Sequence, residues 1–416
     1  MNKRISLSED WSIVLTGFLI IFLVLIGFPL ISPVYNWKDT SELVSKVATG
    51  YNVKVALHLF ICMFALAIIV TFIAGKPVKP LLKGFPLVYL LTTIALLLAG
   101  NSFLKDWNLE AVIFSLLIGL GIRNFFNVPE WLKQSLSTES FVKIGLVLLG
   151  CSVIFGDILK AGSLGLIQAL VVVLSVWYFA FWISKKLGVD EEMSIMISSA
   201  VSICGVSAAI ATAGAIKGDS KKLSYVISIV LITAIPMIIF MPALANMLGL
   251  PEAVAGAWIG GTIDTSGGVI ASGSLVGEEA LKISTIVKFS QNVLLGIAAF
   301  AISIYWSYAG KNNTAATVEK PSAAIIWERF PKFVLGFIAA SLLFSFFLSA
   351  ETIDAAKGNL KSLQGLWFAL AFTSIGLETD MKELRGQGRK PLIAFLVAQT
   401  FNILVTLLVA WFLFGR

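Results

Sequence analysis

Ser202-Ile203-Cys204-Gly205-Val206-Ser207-Ala208-Ala209 interrupts an apolar run that extends from Met193 to Ile216. A second interruption follows downstream, Thr262-Ile263-Asp264-Thr265-Ser266-Gly267-Gly268. In lipid, a helix gives up its backbone hydrogen bonds only where protein or a wet cavity replaces them. Two polar, glycine-bearing interruptions in two hydrophobic segments are the sequence pointer to a binding site in a membrane carrier.

The composition around them places the chain in a bilayer. Hydrophobic residues make up 58% of the 416 and charged residues 13%, against about 25% charged in soluble domains. Mean hydropathy is +0.92. The chain reads as an all-α polytopic membrane protein with about thirteen spans of bilayer length. They lie near 11–32, 53–74, 84–103, 109–122, 141–158, 163–184, 192–216, 222–247, 252–275, 281–308, 324–349, 364–381 and 391–414. Lys3 and Arg4 precede the first, which is longer than a signal peptide's apolar region and reads as a retained helix. Pro236 and Pro242 should kink the span at 222–247. Trp131, Trp258 and Trp306 suit an interfacial aromatic belt.

Cys62, Cys151 and Cys204 are scattered through apolar runs, and His58 is the single histidine. No disulfide framework, metal site or cofactor is expected from such a set. The net charge of +7 suits a protein held beside anionic lipid rather than one that binds nucleic acid. The Lys/Arg bias between alternate loops is modest, and Lys217, Lys221 and Lys222 violate it most clearly.

An internal duplication is visible. Leu149-Gly150, Asp157-Ile158 and Gly162 align with Ile375-Gly376, Glu383-Leu384 and Gly388 at one constant offset. Cys204-Gly205-Val206 also echoes Gly267-Gly268-Val269. Such repeats fit the duplicated, inverted-repeat cores of secondary transporters. The stretch from Gly310 to Ser322 reads as a connector.

Three sets of residues could carry chemistry. If the first helix unwinds at Gly205, the residues from Ser207 onward start a half-helix whose free N–H groups and positive dipole end can hold an anion. The alternative is a small-residue packing seam. Asp264 is the second. A charge at bilayer depth costs at least about 2.5–3.5 kcal/mol, so a cavity, counter-ion or proton must offset it. It either caps the next half-helix, with Thr265 and Ser266, or couples an ion. The third is a stripe of Ser284, Lys288, Gln291 and Asn292 at helical spacing. Lys288 either faces Asp264 or an anionic substrate, or snorkels to the interface. Asp157, Glu378 and Asp380 sit at span ends and read as structural, and Lys143 lies similarly near an end.

The order of these segments resembles a known family. Leu149-Gly150 with Asp157-Ile158, then Ser202 to Ala208, then Gly256-Ala257-Trp258-Ile259-Gly260, Ala271-Ser272-Gly273 and Ile286-Val287-Lys288 is similar to the YeiH family of bacterial inner-membrane proteins, labelled sulfate exporters. The similarity covers roughly residues 85–414, and this chain looks like a divergent subgroup. Many members carry histidine then glutamate where this chain has Asp264 and Thr265, and arginine where it has Gln291. The resemblance implies a multi-pass protein of the bacterial inner (plasma) membrane. It implies accessory helices over 1–80 and a transporter domain over 81–416. The core should hold two broken helices crossing at mid-membrane, as in sodium/proton antiporters and bile-acid symporters, with an elevator-like action. The resulting expectation is a proton- or sodium-coupled carrier of a small anion, not an enzyme, and a homodimer by analogy. Its binding residues would be Cys204, Gly205, Val206, Ser207, Thr265, Ser266, Gly267, Gly268, Lys288, Gln291 and Asn292, with Asp264 for coupling. The alternatives are an anion channel and an intramembrane enzyme using Cys204 or Ser207.

Overall fold

The computed structural model describes residues 8–106, 111–216, 218–308, 331–380 and 389–415. Lys217, the connector and Glu383 to Gly388 lie outside them, as do the side chains of Asp157 and Lys221. The described residues are helical apart from turns and one isolated bridge, Trp37 with Asn101. The main helices are α1 (Glu9–Leu25), α2 (Gly50–Ile73), α3 (Val78–Ala99), α4 (Ala111–Phe125), α5 (Thr138–Gly150), α6 (Phe155–Lys186), α7 (Glu191–Ser199), α8 (Val206–Ile216) and α9 (Ser220–Met247). They continue with α10 (Glu252–Thr262), α11 (Ser266–Val276), α12 (Glu278–Tyr308), α13 (Lys332–Leu342), α14 (Ala350–Glu378) and α15 (Arg389–Phe414). Among the described residues, six helices are long and apolar enough to cross a membrane.

The chain divides into two compact units, Met1–Gly156 with Lys332–Asp380 and Asp157–Pro331 with Met381–Arg416. The first unit contains α1 to α5, α13 and α14. Its glycines mark close helix contacts. A Cβ on Gly150 of α5 would lie 2.4 Å from the Phe337 carbonyl oxygen of α13, and one on Gly376 of α14 2.5 Å from that of Leu116 in α4. Thus the aligned pair Gly150 and Gly376 occupies matching seams, each against the other set of helices. Phe85, Phe141 and Trp367 are buried in an aromatic cluster beside them. The charges at the helix ends are paired as structural groups: Arg123 with Asp380 at 2.9 Å, Lys143 with Asp10 at 2.9 Å, and Thr138 donating to Glu378 at 2.8 Å.

The second unit holds both interruptions, and here the expected architecture is corrected. The segments at 192–216 and 252–275 do not cross. Each turns back at its interruption and forms a helix hairpin. In the first, Met193, Ile197 and Ala200 share a buried cluster with Ala209, Ala213 and Ile216. At its mouth, Lys222 at the start of α9 bonds Asp190 and Glu192 at 2.8 Å each. In the second, Glu252 at the start of α10 accepts from the N–H groups of Glu279 (3.1 Å) and Ala280 (3.3 Å) at the start of α12. Both ends of each segment therefore meet. The length argument agrees: an eleven-residue helix such as α8, α10 or α11 is about 16 Å long, roughly half of a 30 Å hydrocarbon core. The thirteen-span count falls with the crossing helices. Pro236 and Pro242 lie inside a helix that runs continuously from Ser220 to Met247.

This α9 joins the two mouths, one at each of its ends. The hairpins therefore enter the second unit from opposite ends of its bundle and point toward each other. Trp258 is buried, 1% exposed, and its indole N–H donates to the Ile403 carbonyl at 2.9 Å, so it is a core residue rather than part of an interfacial belt.

Lys222 also explains its place against the charge bias, since two carboxylates neutralise it. Burial alone would raise Asp190, but the Lys222 ammonium and the Met193 N–H hold its carboxyl below the ordinary value. A lowered folded-state value stabilises above the unfolded value of about 3.9 and is lost as pH falls through the folded one. Lys222→Met should lower thermal stability in detergent at pH 7 by about 1 kcal/mol or less. Its gap to the parent should narrow as pH falls below about 3.9 toward the lowered folded-state value. A gap that stays constant between pH 7 and pH 3 would show that Asp190 and Lys222 are not coupled.

Candidate functional site

The two hairpin tips meet. Residues 200–204 wind as a π-turn, and the chain reverses at Gly205 with φ +62° and ψ −113°. That conformation favours glycine. A Cβ there would lie 2.9 Å from the Asp264 carbonyl oxygen and 3.2 Å from the Asp264 Cβ, so the tip of one hairpin rests on the tip of the other. The second reversal uses extended backbone at Ile263 instead, and Thr265 caps α11 by accepting from the Gly268 N–H at 3.1 Å. Gly267 and Gly268 lie within the first turn of α11, not at a tip. Their echo of Gly205 is therefore not a structural equivalence.

At such a junction four helix ends converge, and they divide by polarity. The C-terminal ends of the π-turn and of α10 present carbonyl oxygens, and side chains from α12 and α15 satisfy them. Lys288 Nζ donates to the Ile203 carbonyl at 2.8 Å and to Gln291 Oε1 at 2.9 Å. Gln291 Nε2 donates to the Gly261 carbonyl at 3.0 Å. Asn402 Nδ2 reaches both hairpins, at 3.1 Å from the Val201 carbonyl and 3.3 Å from that of Thr262. Gln399 Nε2 donates to the Thr262 carbonyl at 2.9 Å. Lys288 is 2% exposed and lies ten residues into α12, about 15 Å along it. It does not snorkel; it braces the first hairpin within electrostatic reach of Asp264.

The N-terminal ends of α8 and α11 face the other way. Helix geometry leaves the N–H groups of Val206, Ser207 and Ala208, and of Ser266 and Gly267, without intrahelical acceptors. Ser207 is exposed, and Val206, Thr265 and Ser266 are half-buried, whereas Cys204, Gly205, Gly267, Gly268, Gln291 and Asn292 are buried. Asn292 Nδ2 approaches Ser266 Oγ at 3.4 Å. Asp264 is 1% exposed, and its Oδ2 has no hydrogen-bond partner. It does not cap α11, because Thr265 does.

All the residues expected at the site thus lie at or beside this junction. Three partners on α15 and α6 were not anticipated: Gln399, Asn402 and Gln168, the last donating to the Ala257 carbonyl at 2.7 Å. A signal for two of them exists. Gln399, Asn402 and Thr406 recur at helical spacing in an otherwise apolar run.

Comparison with known proteins agrees with the membrane reading. The family model described as Conserved hypothetical protein 698 matches residues 83–395. A UPF0324 membrane protein of Rhodopirellula baltica is 39% identical over 368 residues, covering 86% of this chain and 67% of that protein. Two UPF0324 membrane proteins of Nitratidesulfovibrio vulgaris are 38% and 36% identical, covering 82% and 89% of this chain and 60% and 66% of theirs. The chain thus spans about two thirds of the length of these relatives. No solved structure matches. The chain is a multi-pass membrane protein and belongs to the UPF0324 family, the YeiH family that its motifs resembled.

Proposed function

We propose that this protein is a secondary active transporter of a small anion, sulfate or a sulfur-containing or organic anion by family resemblance, coupled to protons or sodium. The observation that carries the reading is the meeting of the two reversals at Gly205 and Asp264. Unbroken helices offer no free backbone amides at that depth, whereas α8 and α11 both begin there. Their N–H groups and dipole ends favour an anion, and Lys288 adds positive charge beside it. Opposed hairpins suit alternating access, since each can seal the junction from its own end while the unit shifts in an elevator-like motion. The reciprocal seams at Gly150 and Gly376 support an inverted duplication behind that motion.

Uptake of radiolabelled sulfate and of a panel of organic anions into proteoliposomes, under imposed pH and sodium gradients, tests the proposal. Gradient-driven accumulation of at least one anion is expected. Asp264→Asn should lose the dependence on one of the two gradients, and an unchanged profile would remove Asp264 from coupling. Cys204→Ala should retain uptake. Its complete loss in a folded protein would favour chemistry at Cys204 instead.

A further inference from the structure

We infer that the junction carries a sodium site built from the side-chain oxygens of Thr262, Asp264, Asn292 and Gln399. The observation is a set of buried oxygens that lack partners. Thr262 Oγ1, Asp264 Oδ2, Asn292 Oδ1 and Gln399 Oε1 are all buried with no hydrogen bond. The four residues are 0%, 1%, 6% and 4% exposed. Buried polar atoms in native proteins are paired in the great majority, so four on or anchored to the segment 262–266 need an explanation.

They converge on one segment. Thr262 and Asp264 flank the extended Ile263. Gln399 is anchored to the Thr262 carbonyl and Asn292 to Ser266 Oγ. Both amides spend their N–H groups on these anchors and keep their oxygens free. Gln168 Oε1 is also unpartnered, but its amide is held at Ala257, more than a turn back, and it is left out of the site.

The Thr262 hydroxyl is the clearest sign. Several buried helical threonines donate to the carbonyl four residues back: Thr16, Thr71, Thr92, Thr285 and Thr373 do so, at 2.7–3.0 Å. Thr262 ends a helix and forgoes that bond, although leaving a buried hydroxyl unpaired is unfavourable. A group kept off its default partner is available to a ligand.

The ligand's charge follows from the donor set. One water has two protons and cannot serve four acceptors, whereas a cation accepts lone pairs from all of them at once. Hard oxygen donors select a hard cation. The single carboxylate already has Lys288 within electrostatic reach, so the donor set matches at most one further positive charge, a monovalent cation. The C-terminal end of α10 adds its negative dipole end at the same point. Lys288 does not bond to the four oxygens: two of its three N–H groups go to the Ile203 carbonyl and Gln291 Oε1. The junction is thereby divided into a cation half on the sealed carbonyl side and an anion half on the open amide side. The ion's role as driver of transport rests on the carrier reading above; its binding does not.

Thermal stability of the purified full chain in detergent tests the site. Sodium chloride is titrated at constant ionic strength against choline chloride, with potassium chloride as a second cation, and ²²Na⁺ binding is measured in parallel. The parent should be stabilised by sodium and not by choline, with potassium much weaker. Thr262→Val, which keeps the shape and removes the oxygen, should weaken sodium binding at least about tenfold, while the variant in choline melts close to the parent. Should Thr262→Val fail to fold, Gln399→Leu serves as the second variant, with the same loss of ²²Na⁺ binding and a lower melting temperature in both salts, since it also removes the bond to the Thr262 carbonyl. Equal responses to sodium and choline, or unaltered ²²Na⁺ binding in a folded Thr262→Val, would overturn the site. Anion uptake driven only by a pH gradient, with no sodium binding, would overturn the site and keep the carrier. Sodium binding that depends on Thr262, without any anion uptake, would keep the site and overturn the carrier.

Discussion

Gly205→Ala should abolish uptake, by about a hundredfold or more, because it moves the point on which both hairpins rest. Two costs add at this position. The backbone angles lie in a region nearly closed to side-chain-bearing residues, worth about 1–3 kcal/mol of strain. A new Cβ would also meet Val230 Cγ1 at 2.7 Å and the Asp264 carbonyl oxygen at 2.9 Å. Val230 can turn aside, but the carbonyl belongs to the other tip, and that tip must move. A displacement of about 1 Å at a binding constellation costs on the order of 10² in rate. The control is Gly249→Ala. Gly249 has the same φ of +62° but nothing within 4 Å of its Cβ position, so it carries the cost of a positive φ without the collision. Its uptake should remain near that of the parent. Equal losses in the two variants would show that backbone strain alone matters and that the tips are not coupled.

Lys288→Met should be the most destabilising single change at the junction, and adding Asp264→Asn should recover part of the loss. The methionine leaves the Ile203 carbonyl without its donor and leaves Asp264 without the nearby positive charge. Removing one member of a buried charged pair costs about 3–5 kcal/mol, much of it from the charge left behind. Neutralising Asp264 removes that part, so the double variant should melt higher than Lys288→Met, with a coupling of about 1 kcal/mol or more. Strict additivity would show that the two charges do not act on each other. Lys288→Gln separates brace from charge. Glutamine can still donate to Ile203, so this variant should lose less stability than Lys288→Met while anion uptake is lost. Retained uptake in Lys288→Gln would limit Lys288 to a structural role.

Both predictions depend on a junction whose parts were unequally visible in the sequence. Asp264 and Lys288 stood out because ionised groups are rare in apolar runs and expensive there. The stripe of Ser284, Lys288, Gln291 and Asn292 was legible from helical spacing, and two of its members, Gln291 and Asn292, meet the second hairpin. Gln399 and Asn402 carried no charge, and amides in a terminal apolar helix gave a weaker signal. Their role depends on the Val201 and Thr262 carbonyls, which are presented only once the two hairpins have turned. The echo of Cys204-Gly205 in Gly267-Gly268 failed because the two tips reverse by different backbone means, a left-handed glycine in one and an extended Ile263 in the other.

The amino-acid order by itself determined that this chain lies in lipid, that polar, glycine-bearing interruptions fall at Gly205 and around Asp264, and that one lysine stands in the apolar run that follows them. Those are local properties of hydropathy, glycine and charge. Whether each broken segment crosses the bilayer or returns was decided by tertiary structure alone. An apolar stretch, a polar glycine-bearing break and a second apolar stretch read identically in both cases. The direction is fixed only at the mouths, where Lys222 joins Asp190 and Glu192, and Glu252 takes the amides of Glu279 and Ala280. These contacts hold the two ends of each hairpin together, leaving its tip to meet the other halfway through the bundle.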